Sequence, residues 1–331
     1  MRKYIHHTTI LLLLPLFAFS QKAAIQYYST KDGIIGSING SIAQDDNGFI
    51  WILGEEDLYR FDGQNFLTYE RPKHLEGSDK PLITMTILKD SILFTHSRHH
   101  AFLLNTNSGI WTSVSAPFEP SDDIFIAGLD KYPSTNSQIL VHAIDEAKQT
   151  ITFWAFHNLK FEPSSYINIP TQGLIHYKFD KEGRLFLSYS NGITLRDADN
   201  KILKEAPIFP KNSDNIHTQI YTFSNDSTVL ILTSNKKWEN QQKVFSLNKY
   251  NFELSPHPIN RYLKREQFHI RYIRAADNNR LWLGGTDRNL MIYDIQKDTI
   301  YNFTSQIKQI IPNTEALSNY ILDKSETMWI V

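Results

Sequence analysis

The chain has 331 residues and no cysteine, with 34 Lys+Arg against 35 Asp+Glu and a formal net charge of −1. Stability therefore cannot rest on disulfides, and 41% hydrophobic residues supply the apolar mass for a large buried core. A near-neutral balance gives no electrostatic ground for nucleic acid or anionic lipid as a partner.

The first twenty residues read as a secretory signal peptide. Arg2 and Lys3 give a positive start, Thr9 to Phe19 is an apolar run too short to span a bilayer, and Ala18-Phe19-Ser20 supplies small residues at the cleavage positions. Cleavage before Gln21 is expected, with an exported, periplasmic product of net charge −3 and no membrane insertion afterwards. No Cys follows the apolar run, which excludes a lipid anchor there.

Beyond residue 20 one phrase recurs: an apolar strand, a polar turn rich in Asp, Asn and Gly, then a second apolar strand with a bulky residue at its centre. Those centres are Trp51, Phe94, Leu140, Phe186, Ile231, Trp282 and Trp329, spaced by 43 to 51 residues. The first copy predicts strands at 39–44, 49–53, 58–61 and 65–69, with tight turns at Asp45-Asp46-Asn47-Gly48 and Asp62-Gly63. The second and fourth copies repeat the pattern, and helical spacing of apolar residues is hard to find. A four-stranded antiparallel unit repeated at this period implies an all-β fold, a seven-bladed β-propeller incomplete in its last blade. The seven bulky centres are expected as anchors packed between blades. The last copy predicts strands at 318–322 and 327–331, and "AIQYYST" (24–30) is expected to supply an outer strand to it. Six full blades and a shortened seventh imply a fragment of a longer protein.

Two stretches carry a family likeness. Tyr27 to Glu70 resembles the two-component regulator propeller repeat through Asp32-Gly33-Ile34, Asp45 or Asp46, Gly48, Trp51, Ile52, Gly54 and Leu58-Tyr59-Arg60-Phe61. Asp277 to Asp294 resembles it again through Asp277, Trp282, Gly284, Leu290 and Tyr293. The resemblance implies the periplasmic sensor region of a hybrid histidine kinase of the Bacteroidetes type, responding to oligosaccharides and dimeric in full-length form. Glu55 and Glu56 stand where Thr is usual, Asp57 replaces a Gly, and the middle copies lack the Trp.

No Gly-x-Ser-x-Gly elbow, phosphate-binding Gly loop, dinucleotide fingerprint or His-Glu-x-x-His motif occurs, so no catalytic residue and no cofactor are assigned. "THSRHH" (95–100) holds His96, His99 and His100, which read as a polar rim loop and not as a metal site. Loops joining second to third strands share one face of a propeller with the connections between blades. On that face lie Glu55, Arg98, Tyr189, Trp238, Asp287 and Arg288, the candidate ligand-binding residues. Trp238 stands out as an aromatic in a polar loop, suited to stacking on a sugar. The expectation is a sensor that binds a small molecule or oligosaccharide without catalysis. A propeller lyase or glycosidase and a protein-interaction scaffold are the alternatives.

Overall fold

The computed structural model describes residues 26–330 except 35–37, 76–79, 89–91, 120, 132–138, 158–159, 165–167, 181, 190–191, 208–215, 223–226, 236–241, 267, 276–278, 287–288, 311–319 and 324–326. The signal segment lies outside the described residues, and among them no helix is long and apolar enough to cross a membrane.

Each repeat folds into one antiparallel sheet. Blade 1 is β1 (Ile38–Gln44), β2 (Ile50–Gly54), β3 (Leu58–Phe61) and β4 (Phe66–Tyr69), hydrogen-bonded in that order. Blade 2 is β5 (Thr84–Ile87), β6 (Ile92–His96), β7 (Ala101–Asn105) and β8 (Trp111–Val114). Blade 3 is β9 (Ile124–Lys131), β10 (Ile139–Asp145), β11 (Thr150–His157) and β12 (Lys160–Pro163), with β13 (Ile169–Pro170) also paired to β11. Blade 4 is β14 (Leu174–Phe179), β15 (Leu185–Tyr189), β16 (Gly192–Arg196) and β17 (Ile202–Pro207). Blade 5 is β18 (Ile216–Thr222), β19 (Thr228–Asn235), β20 (Lys243–Asn248) and β21 (Leu254–Pro256). Blade 6 is β22 (Ile270–Ala275), β23 (Arg280–Gly285), β24 (Leu290–Asp294) and β25 (Thr299–Asn302). A hairpin of β26 (Tyr320–Leu322) and β27 (Met328–Ile330) follows. Among the described residues the ring thus has six complete blades and a two-stranded hairpin in the place of a seventh.

Successive side chains of a strand point to opposite faces, so a second strand that is apolar throughout can feed two different seams. In β2, Trp51 and Leu53 pack with blade 2, while Ile50 and Ile52 pack with the hairpin residues Ile321 and Trp329. In β10, Leu140 joins Phe179, Leu185 and Leu187 of blade 4, while Ile139 and Val141 join Phe94 of blade 2. In β23, Leu281 and Leu283 face blade 5, and Trp282 packs with Ile330 of the hairpin. The hairpin therefore touches both blade 6 and blade 1, and the ring closes through it.

The bulky centres Trp51, Phe94, Leu140, Phe186 and Ile231 are fully buried. Six of the seven centres face the following blade, whereas Ile231 faces blade 4 behind it, packing with Phe186, Ile193 and Leu195. The residues that face forward from β19 are Leu230 and Leu232. Ile231 is thus packed between blades 4 and 5, on the face opposite to its neighbours Leu230 and Leu232.

The repeated Asp has a mechanical task. Asp45 Oδ1 accepts the backbone N–H of Asn47 (3.0 Å) and Phe49 (3.0 Å), and its Oδ2 accepts the Trp51 indole N–H at 2.8 Å. Gly48 closes the turn at φ 91°, a left-handed conformation that a side chain would strain. The hairpin repeats the device, with Trp329 Nε1 donating to Asp323 Oδ2 at 2.8 Å and Thr327 N donating to Oδ1 at 2.9 Å. In blade 4 Phe186 has no N–H to give, and Asp180 Oδ2 accepts instead from Arg184 (2.7 Å), with Lys249 of blade 5 at 3.7 Å. The same carboxylate thus ties a turn to an indole in one blade and to a neighbouring blade's ammonium in another.

Two expectations are corrected. The described residues before β1 form no strand against β27; Tyr28 instead stacks on Trp329 at 6.0 Å and packs against Phe61 and Phe66. Two helices, α1 (Asn260–Glu266) and α2 (Thr304–Ile310), fill the seams flanking blade 6 through the buried Leu263 and Ile307. One buried side chain in seven residues is too little to write a helical period into the sequence.

Asp45→Ala leaves an indole and two backbone donors unpaired, and is expected to lower unfolding free energy by about 2–4 kcal/mol. Asp45→Asn, which keeps an acceptor, should cost clearly less. Urea denaturation of both variants followed by tryptophan fluorescence checks this.

Candidate functional site

Turns alternate between the two ends of an antiparallel sheet, so the loops after second strands share one face, called here the upper face. The start of each following blade lies there too. Leu82 N donates to Glu55 O at 2.7 Å, and Ile126 N donates to Arg98 O at 2.8 Å.

Three of the six candidate ligand residues are described. Glu55 is exposed on the blade 1 loop. Arg98 is exposed, but its guanidinium carbon lies 3.9 Å from the centre of the Phe125 ring, and its Nη2 is 3.4 Å from Asp122 O and 4.0 Å from Glu146. Tyr189 ends β15 half-buried, its phenol raised above the usual range mainly by burial. The contacts of Glu55 and Arg98 follow the seam to the next blade, and do not converge on one point. Trp238, Asp287 and Arg288 lie outside the described residues.

The innermost strands give the upper face its shape. The pairing register slips at residues 39–41 of β1, 127 of β9, 175 of β14 and 271 of β22. In β1, β14 and β22 the slip adjoins the first pair of the strand, at the upper mouth of the central channel. A bulge of this kind bends the strand and re-aims a side chain. Blade 6 shows how it is held. Gln242 donates to Ile270 O at 2.7 Å and accepts from Ile270 N at 2.5 Å, and Tyr221 Oη donates to Arg271 O at 3.1 Å. The Tyr272 ring covers Gly284, where an added Cβ would lie 1.8 Å from the ring. Burial pushes the Tyr272 phenol up to about 12, with Arg271 and Arg274 opposing.

Three imidazoles lie at the seams from blade 2 to blade 5, His96 and His142 buried and His176 half-buried. Burial lowers His96 to about 4 and His142 to about 3, with the nearby His96 adding to the second shift. His96 Nδ1 is 2.7 Å from Ser97 O, and the Tyr177 hydroxyl is 2.5 Å from His142 Nδ1. Burial and Lys178 lower His176 to about 4, and its Nδ1 accepts from Ile220 N at 3.4 Å. His96 is thus fully buried in the seam behind the predicted rim loop, and among the described residues no group of three His, Cys, Asp or Glu could hold a metal ion.

Sequence reasoning missed a cleft on the lower face. About 450 Å³ opens between blade 1 and the hairpin, lined by Gln44, Asp46, Asp62, Phe61, Asp323 and Trp329 among others. It is built by two turns that the sequence marked as turns only, brought beside Trp329 by ring closure.

No protein-family model matches the chain, and no curated protein matches it. Solved structures do. The chain is similar to the extracellular domain of the hybrid two component system BT3049 from B. thetaiotaomicron at 16% identity and TM-score 0.62, over 92% of this chain and 40% of that one. It is similar to the corresponding domain of BT4673 from the same organism at 15% identity and TM-score 0.62, over 90% of this chain and 37% of that one. A structure described as YCF48 bound to D1 peptide matches at 13% identity and TM-score 0.58, over 90% of each chain. The fold is a β-propeller. The chain spans about two-fifths of the length of the BT3049 and BT4673 domains it matches.

The histidines set a pH dependence. Each is neutral when folded and has its pKa lowered from 6.5, so their contribution is complete above about pH 6.5 and is lost as pH falls toward about 4. Unfolding free energy should fall by up to about 1.4 kcal/mol per pH unit for each histidine in that window. His142→Phe should flatten the slope between pH 6.5 and 4, measured by urea denaturation at fixed ionic strength.

Proposed function

We propose that this chain is the extracytoplasmic ligand-sensing propeller of a two-component regulator, acting in the periplasm as one portion of a longer signalling protein. It binds a carbohydrate or another small ligand and does no chemistry on it. The observation that carries this reading is the set of register slips at the upper ends of β1, β14 and β22, with Arg271 of the β22 slip exposed. Hydrogen bonds to β22 from Gln242 and Tyr221 of blade 5 fix the geometry there. Such expenditure on a rim suits recognition, which needs groups held still before the ligand arrives. The shared architecture with extracellular domains of two-component systems supports the same reading.

The candidate residues Glu55, Arg98 and Tyr189, with Trp238, Asp287 and Arg288, belong to the upper face in this proposal, and Trp238 is its stacking aromatic. A homodimer of the full-length regulator would place two such faces in one assembly.

A thermal-shift panel of oligosaccharides tests the reading. A ligand at a hundred times its Kd adds about 2.7 kcal/mol of stability and should raise Tm by on the order of 5 °C. The same ligand is expected back uncleaved after prolonged incubation. Cleavage of the oligosaccharide would replace the sensor with the lyase or glycosidase reading.

A further inference from the structure

The innermost strands are charged differently from the rest of the chain. Across β1, β5, β9, β14, β18, β22 and β26 the basic residues are Lys131, Lys178, Arg271 and Arg274, and the acidic one is Asp130. The whole chain carries net −1, so the sequence of the innermost strands runs against the overall sign.

Arg271 lies at the upper end of β22. It is the extra residue of the β22 slip, standing between Ile270, paired with Gly285, and Tyr272, paired with Gly284. Its backbone is clamped from blade 5: Gln242 grips Ile270 through both N–H and C=O, and Tyr221 Oη holds the carbonyl of Arg271 itself. Its side chain is nevertheless exposed, on a strand whose outer edge is taken by β23. Three hydrogen bonds from a neighbouring blade fix the peptide while the guanidinium is left to solvent. A planar, permanently charged fork on an anchored peptide is suited to an oxyanion held through two parallel N–H bonds.

We infer that the upper mouth of the channel recognises an anionic ligand, an oligosaccharide bearing a carboxylate or sulfate group, and that Arg271 binds that group directly. Tyr221 is a positioning residue that acts through the Arg271 peptide. The glycan part of the inference rests on the sensing function proposed above; the charge and the residue rest on the geometry of β22.

The test is isothermal titration of the full chain with three probes: a galacturonate trisaccharide, a sulfated disaccharide and neutral cellotriose. At least one anionic probe is expected to bind in preference to the neutral one. Arg271→Ala should weaken it about 10- to 100-fold with an unchanged melting temperature, Arg271→Lys should fall between, and Tyr221→Phe should weaken binding while leaving the charge in place. Binding of an anionic probe that Arg271→Ala leaves intact overturns the assignment of Arg271. Binding of cellotriose alone overturns the anionic class and leaves the sensing function standing. If no probe of either charge binds, both the inference and the glycan-sensing reading fail.

Discussion

A four-stranded sheet that is apolar on both faces cannot stand alone in water. Every second strand of this chain is such an element, and each is satisfied by two neighbours at once. Trp51 and Leu53 point one way, Ile50 and Ile52 the other, and each set finds partners in a different sheet. Covering both faces of every sheet without leaving a first and a last one requires a ring. The hairpin of β26 and β27 has only two strands, yet it meets this requirement, because Ile321 and Trp329 cover blade 1 while Ile330 joins the cluster of blade 6.

The ring then determines what the turns and rims can do. Asp45 and Asp323 use one carboxylate to close a turn and hold an indole in a seam. Asp180 does the same for its turn and gives its free oxygen to Arg184 and Lys249, so the residue type persists where the aromatic N–H is gone. On the upper face the inner strands β1, β14 and β22 slip register next to their first pair, while the seams behind them keep their apolar packing. Buried neutral histidines such as His96 and His142 lie between these two zones and make the seams dependent on pH.

Much of the architecture was legible because the Asp, Gly and Trp spacing of the outer copies reports a specific hydrogen bond. The middle copies were harder. In β19, Val229, Leu230, Ile231 and Leu232 are all buried, so alternation in the sequence does not say that Ile231 faces blade 4 while Leu230 and Leu232 face blade 6. The longest interval between copies, from Ile231 to Trp282, contains α1, too short to leave a period of its own. Tyr28 carried an aromatic signal that suited a strand, but it packs as a single ring on Trp329. The site was less legible than the fold. Arg98 is engaged by Phe125 and Glu146 across a seam, which composition does not reveal. Arg271 gains its position from a register slip and from Gln242 and Tyr221, residues distant in sequence whose meaning depends on pairing.

Ring closure through the hairpin is the claim on which the seams, the channel and its mouth all depend. Native-state amide hydrogen exchange measures it most directly, because a closed ring opens as one cooperative unit. The account predicts that amides of β26 and β27 exchange as slowly as those of β2 and β23, the strands they cover. Exchange of the hairpin amides at rates near those of an unfolded peptide, with the six blades still protected, would show an open ring and contradict it.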